Sequence, residues 1–112
     1  MKKVVKYNKL IRDNIPEIIR GAGWIPTVRV LKEKEFLSAI KKKVLEEAEE
    51  LIRAKNKKEI IDEIIDIQEL LEVLASEAGS TKAEIKKLQT IKREERGGFK
   101  KKLFLINEEK QF

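Results

Sequence analysis

Between Lys43 and Val73 the chain reads KVLEEAEELIRAKNKKEIIDEIIDIQELLEV, and this stretch constrains the rest more than any other. It holds two helical segments joined by a short polar linker, and each carries acid inside its apolar face. An α-helix turns about 100° per residue. With Val44 as the reference, Leu37, Ile40, Ala48 and Leu51 fall within about 40°, and Phe36 and Ala54 near −80°. Glu47 lies at about −60°, inside this arc, and Glu50 at about −120°, on its border. Glu46 and Glu49 point outward. With Ile64 as the reference on the second segment, Ile60, Ile61, Ile67, Leu71 and Ala75 form the stripe. Glu63 lies at about −100°, between Leu70 and Leu74, and Asp66 at about −160°. Glu72 also falls near this arc. A short linker predicts antiparallel packing, so that the pair Glu47/Glu50 and the pair Glu63/Asp66 can face each other.

Four ionised carboxylates brought that close repel one another, and partial burial sharpens the repulsion. A divalent cation removes the penalty. Oxygen-only ligation selects a hard ion, magnesium or manganese. The chain contains no histidine and no cysteine, so zinc and haem lack their usual ligands. Ordinary solvated charge is the competing explanation for any acidic helix. Glu47 and Glu63 argue against it, because each sits among apolar positions with a carboxylate partner three residues on. Glu47, Glu50, Glu63 and Asp66 are thus the expected metal ligands.

The pattern Glu46-Glu47-x-x-Glu50 followed by Glu63-x-x-Asp66 resembles the signature of the all-α nucleoside triphosphate pyrophosphohydrolases, the MazG-like and phosphoribosyl-ATP pyrophosphohydrolase-like proteins. YNKLIRDNIPEII (Tyr7–Ile19) and KREERGGFKKKLFLI (Lys92–Ile106) resemble the outer segments of one subgroup. The resemblance implies a magnesium-dependent hydrolase that cleaves a nucleoside triphosphate to monophosphate and pyrophosphate, with manganese as an alternative ion. Attack at the α-phosphorus rests on the resemblance alone. Glu47 is then catalytic as well as a ligand, and Glu46 is a candidate for orienting or deprotonating the attacking water. Lys9, Arg12 and Arg93 are expected to contact phosphates; surface charge is the bland reading of Lys9 and Arg12. The cluster Arg93–Arg96–Gly97–Gly98 reads either as a capped helix end or as a phosphate-holding turn. No Gly-rich Walker-type loop is present. Phosphoribosyl-ATP, in histidine biosynthesis, is the second substrate reading. A non-enzymatic helical dimer that binds protein or nucleic acid is the third.

A chain of 112 residues suits one domain, expected to span 1–112. Hydrophobic and charged residues each make up 41%. No apolar run reaches membrane-span length, and the start MKKVVKYNK is too polar for a secretory signal. Together with the lack of cysteine, this predicts a cytoplasmic protein with no membrane partner. Abundant Lys and Glu lean toward a thermophile. The net charge of +6 suits a polyphosphate ligand. With scattered lysines and one Trp and one Tyr to stack on bases, nucleic acid is an unlikely partner.

Along the chain, Pro16 opens a short helix that Gly21 ends. Thr27–Leu31 reads as a strand. The first long helix runs from Glu33–Glu35 to about Lys55, stopped by Asn56, and the second from Lys58 to Ala78. Thr81 and Glu84 fit a capping box for a third helix that stops at Gly97–Gly98. Phe99–Ile106 reads as a second strand, paired with the first. The expected fold class is therefore mostly α: an all-α nucleoside triphosphate pyrophosphatase-like helical bundle with a small two-stranded β element. The wide apolar arcs predict a homodimer or homotetramer.

Overall fold

The computed structural model describes residues 2–111. Four helices follow in order: α1 (Ile15–Gly21), α2 (Glu33–Arg53), α3 (Lys57–Glu77) and α4 (Lys82–Arg96). α2 and α3 pack against each other, and α4 packs on α3. The helix limits follow local chemistry. Asn56 opens α3 instead of merely ending α2: its side-chain oxygen accepts from the Glu59 amide at 2.9 Å, while the Glu59 carboxylate accepts from the Lys55 amide at 2.7 Å. Thr81 caps α4 by accepting from the Glu84 amide at 3.1 Å. The Glu84 carboxylate accepts from the Ser80 hydroxyl at 2.8 Å, so the reciprocal half of the box runs to Ser80. At the head of α2, Lys32 offers no acceptor. Glu35 instead reaches back to the Lys32 amide at 3.4 Å and is clamped by Arg29 at 2.8 Å.

The expected β element is absent. Thr27–Leu31 and Phe99–Ile106 are not strands, and the described residues contain none. The turn at Phe99–Lys102 closes with a single backbone bond, and Leu103–Ile106 have no backbone partner among the described residues. β-branched and aromatic residues favour an extended backbone, but a strand needs a neighbouring edge, and two isolated strands are marginal without a face to pack on. α4 touches only α3 among the helices, so nothing brings the tail back to the segment ahead of α2.

The chain is elongated. Its Cα radius of gyration is 19.4 Å, against about 13 Å for a compact domain of this length. Among the described residues, the only buried hydrophobic side chain is Ile40. The half-buried positions of α3 are Glu63, Asp66, Ile67, Leu70, Val73, Leu74 and Ala75. That face is centred near Glu63, about 100° round the helix from Ile64. Ile60, Ile61, Ile64, Ile65 and Leu71 form a second ridge that stays between 41% and 53% exposed. The wide apolar arc of α3 is thus two faces, one turned to α2 and one to solvent.

A carboxylate centre between two antiparallel helices

Both helices place an acid at the middle of their contact. Among the described residues, Glu47 is the one buried charged residue, 7% exposed, on the α2 face that also carries Ile40, Lys43 and Glu50. Carboxylate oxygens of Glu47, Glu50 and Glu63 lie within 4.8 Å of one another. Oε2 of Glu47 and Oε2 of Glu63 are buried and have no hydrogen-bond partner. A buried acceptor with no donor is costly, and a carboxylate more so. The Glu63 carboxyl is pushed up to about 8. The largest cause is the facing Glu47 carboxylate, which can accept a hydrogen bond only from the protonated form of Glu63, followed by burial and then by Glu50 and the like charges of both neighbours. Ligands at about 2.0–2.1 Å from magnesium stand at most about 4.2 Å apart. At least two of the three pairs on one octahedral ion are adjacent, about 3.0 Å apart, so the triad would have to draw in further to hold such an ion. Hard anionic oxygens, two of them unpartnered, fit magnesium or manganese.

Asp66 lies one turn along α3 and is not part of the triad. Its Oδ1 accepts a 2.7 Å hydrogen bond from Arg12. Glu46 is not turned outward as the helical angle predicts. The N-terminal segment crosses this flank of α2, and Glu46 accepts from Lys43 at 3.1 Å and from Lys9 at 3.3 Å. Burial is the largest single influence on the Glu46 carboxyl and pushes it up. The bonds from Lys43 and Lys9 outweigh it, and the net shift is downward. With both ammonium groups in place, Glu46 is a weak base. Lys9 and Arg12 thus reach the acids that flank the triad, Glu46 and Asp66. Arg93 does not: it is exposed in the last turn of α4 and makes no ion pair or side-chain hydrogen bond with any described residue.

Two residues escaped the sequence reading. Lys43 is part-buried and stands 3.6 Å from Glu47 as well as bonding Glu46. Its place three and four residues before the two acids is the helical spacing that announces such a pair. Arg53 lines a depression of about 340 Å³ with Glu50, Ala54, Glu59 and Glu63. It stands three residues after Glu50, so the same spacing rule would have found it.

An antiparallel helix pair with three acids converging from both helices defines a class: all-helical domains built round a carboxylate cluster. The family model described as "Phosphoribosyl-ATP pyrophosphohydrolase" matches residues 26–87, more than half of the chain, and the chain belongs to that family. The matched region contains the whole triad. An uncharacterized protein of Mycolicibacterium smegmatis (strain ATCC 700084 / mc(2)155) is 44% identical over 43 residues, which is 38% of this chain and 44% of that protein. The chain thus spans under half the length of that relative. No solved structure matches. No described helix is long and apolar enough to cross a membrane.

Proposed function

We propose that this protein is a magnesium-dependent nucleoside triphosphate pyrophosphohydrolase that releases pyrophosphate and a nucleoside monophosphate. One observation carries the reading: Glu47 and Glu63 each keep a buried, unpartnered oxygen inside a three-carboxylate cluster. A helical binding module gains nothing from that arrangement, since apolar residues of similar size would pack there without penalty. Glu47, Glu50 and Glu63 would hold the ion, with Asp66 joining once Arg12 leaves it. When bound, the ion neutralises the triad, grips phosphate oxygens and makes water a stronger acid. Lys9, Arg12 and Lys43 supply positive charge beside it. Arg12 can grip two phosphate oxygens at once, whereas the lysines act as point charges.

The family's printed description favours a second substrate, phosphoribosyl-ATP, cleaved by the same chemistry. Pyrophosphate release should be measured with magnesium on canonical, deoxy and modified triphosphates and on phosphoribosyl-ATP. Turnover on triphosphates is expected. Cleavage of phosphoribosyl-ATP alone would move the assignment to that substrate, and no turnover on any of them would end the enzyme reading.

We also propose that the protein works as a homodimer or homotetramer. The isoleucine ridge of α3 and the nearly coreless single chain support this reading.

A further inference from the structure

The N-terminal segment and α1 form one wall of a groove of about 840 Å³, and α2 and α3 form the other. The groove changes character along its length. At one end stand Glu47 and Lys43 of α2, Asp66 of α3, and Lys9 and Arg12 of the opposite wall. The ion pairs Lys9–Glu46 and Arg12–Asp66 bind the two walls together there. Towards the start of α2 and the end of α3, the lining becomes Phe36, Ile40, Leu70 and Val73. From Glu47 to Phe36 is eleven residues of helix, a rise of about 16 Å. Leu10, Ile11 and Ile15 complete the apolar part from the other wall, and all three are half-buried.

We propose that this groove is the nucleoside half of the substrate site, with the base seated against Phe36 and the polyphosphate running to Lys9, Arg12 and Lys43. The proposal rests on the pyrophosphohydrolase reading and adds where the nucleoside binds. The volume lies in the range of small-molecule sites, which join apolar walls to a few polar groups. A nucleotide has the same division as the groove: a flat, largely apolar base at one end and negative charge at the other. Phe36 is the one aromatic side chain in the lining, and aromatic faces stack on any base. A second copy of the chain would suit the α3 isoleucine ridge better, because that ridge is a run of exposed apolar side chains. Asp13 and Asn14 face the groove from the N-terminal wall. They supply an acceptor and an amide for the base edge. The Asn14 side-chain oxygen makes no cap bond to α1. This wall precedes residues 26–87, so the polar contacts to the base edge would lie outside the family's matched region, while Phe36 lies inside it.

The test is binding with calcium in place of magnesium, to suppress turnover. ATP, GTP, CTP, UTP and inorganic tripolyphosphate are titrated calorimetrically into wild type, Phe36→Ala and Phe36→Leu. At least one nucleotide should bind about tenfold tighter than tripolyphosphate. Phe36→Ala should remove about that factor for nucleotides and leave tripolyphosphate unchanged. In wild type, that nucleotide should shift the methyl resonances of Ile40, Leu70 and Val73, a readout that needs no variant. Equal affinity for nucleotides and tripolyphosphate would overturn the groove assignment while leaving the carboxylate site standing. Binding of neither would overturn both. A lower scattering mass for both Phe36 variants, with no methyl shifts in wild type, would give the groove to a second copy and overturn the proposal.

Discussion

The Arg12 guanidinium donates to Oδ1 of Asp66 at 2.7 Å, across 54 residues of sequence. The side chains are 54% and 38% exposed, so the pair lies in reach of water. Exposed pairs contribute about 1 kcal/mol or less. Arg12→Ala should therefore lower stability by no more than about 1 kcal/mol in a urea melt, while raising KM for a triphosphate. A fall in kcat with KM unchanged would instead place the Arg12 contact in the transition state.

Metal binding should depend on the triad. Changing groups that merely orient metal ligands costs about 10–100-fold in affinity. Glu47→Gln should cost at least as much in magnesium affinity by isothermal titration, and turnover should fall with it. The amide keeps the shape, so circular dichroism should show the helices intact.

The raised Glu63 carboxyl sets a pH dependence of the metal-free fold. A carboxyl near 8 when folded, and at its ordinary value when unfolded, binds more protons in the folded state between those limits. Stability from this group is full below the ordinary carboxylate range. It declines as pH rises and is gone above about 8. The thermal midpoint in chelator should fall from pH 5 to pH 8.5, and Glu63→Gln should remove most of that fall. The proton must also leave before a cation binds, so magnesium affinity should climb over the same interval.

Lys43 lies against both Glu46 and Glu47. Lys43→Met keeps much of the apolar stem and removes the charge. The Glu46 carboxyl should then titrate higher, since one of its two ammonium partners is gone. A carbon-detected titration of the glutamate carboxyls should record the rise.

The α3 ridge should be an interface. Ile61→Glu and Ile64→Glu each put a charge among exposed isoleucines without touching the face turned to α2. Light scattering should show wild type at a multiple of the 13.0 kDa chain and the variants shifted toward it.

Local chemistry made much of this protein legible from sequence. The residues that cap α3 and α4 act through bonds spanning three or four positions, so the caps at Asn56 and Thr81 lie close to where the pattern puts them. The convergence of Glu47, Glu50 and Glu63 followed from helical spacing and a short linker. What spacing could not decide was rotation and reach. The apolar arc of α3 is wide enough to present either of two faces to α2, and only packing selected the one centred on Glu63. Lys9 meets Glu46, and Arg12 meets Asp66, because the N-terminal segment crosses the flank of the helix pair, a path set by the tertiary fold. Thr27–Leu31 and Phe99–Ile106 have strand-like sequences, but pairing is a non-local event, and the helices hold these segments without a common edge. The helices and the spacing of their acids follow from residue order alone, because those forces act within a turn or two. Which face is inside and which cations meet the acids were settled by packing, because those choices depend on surfaces distant in the chain.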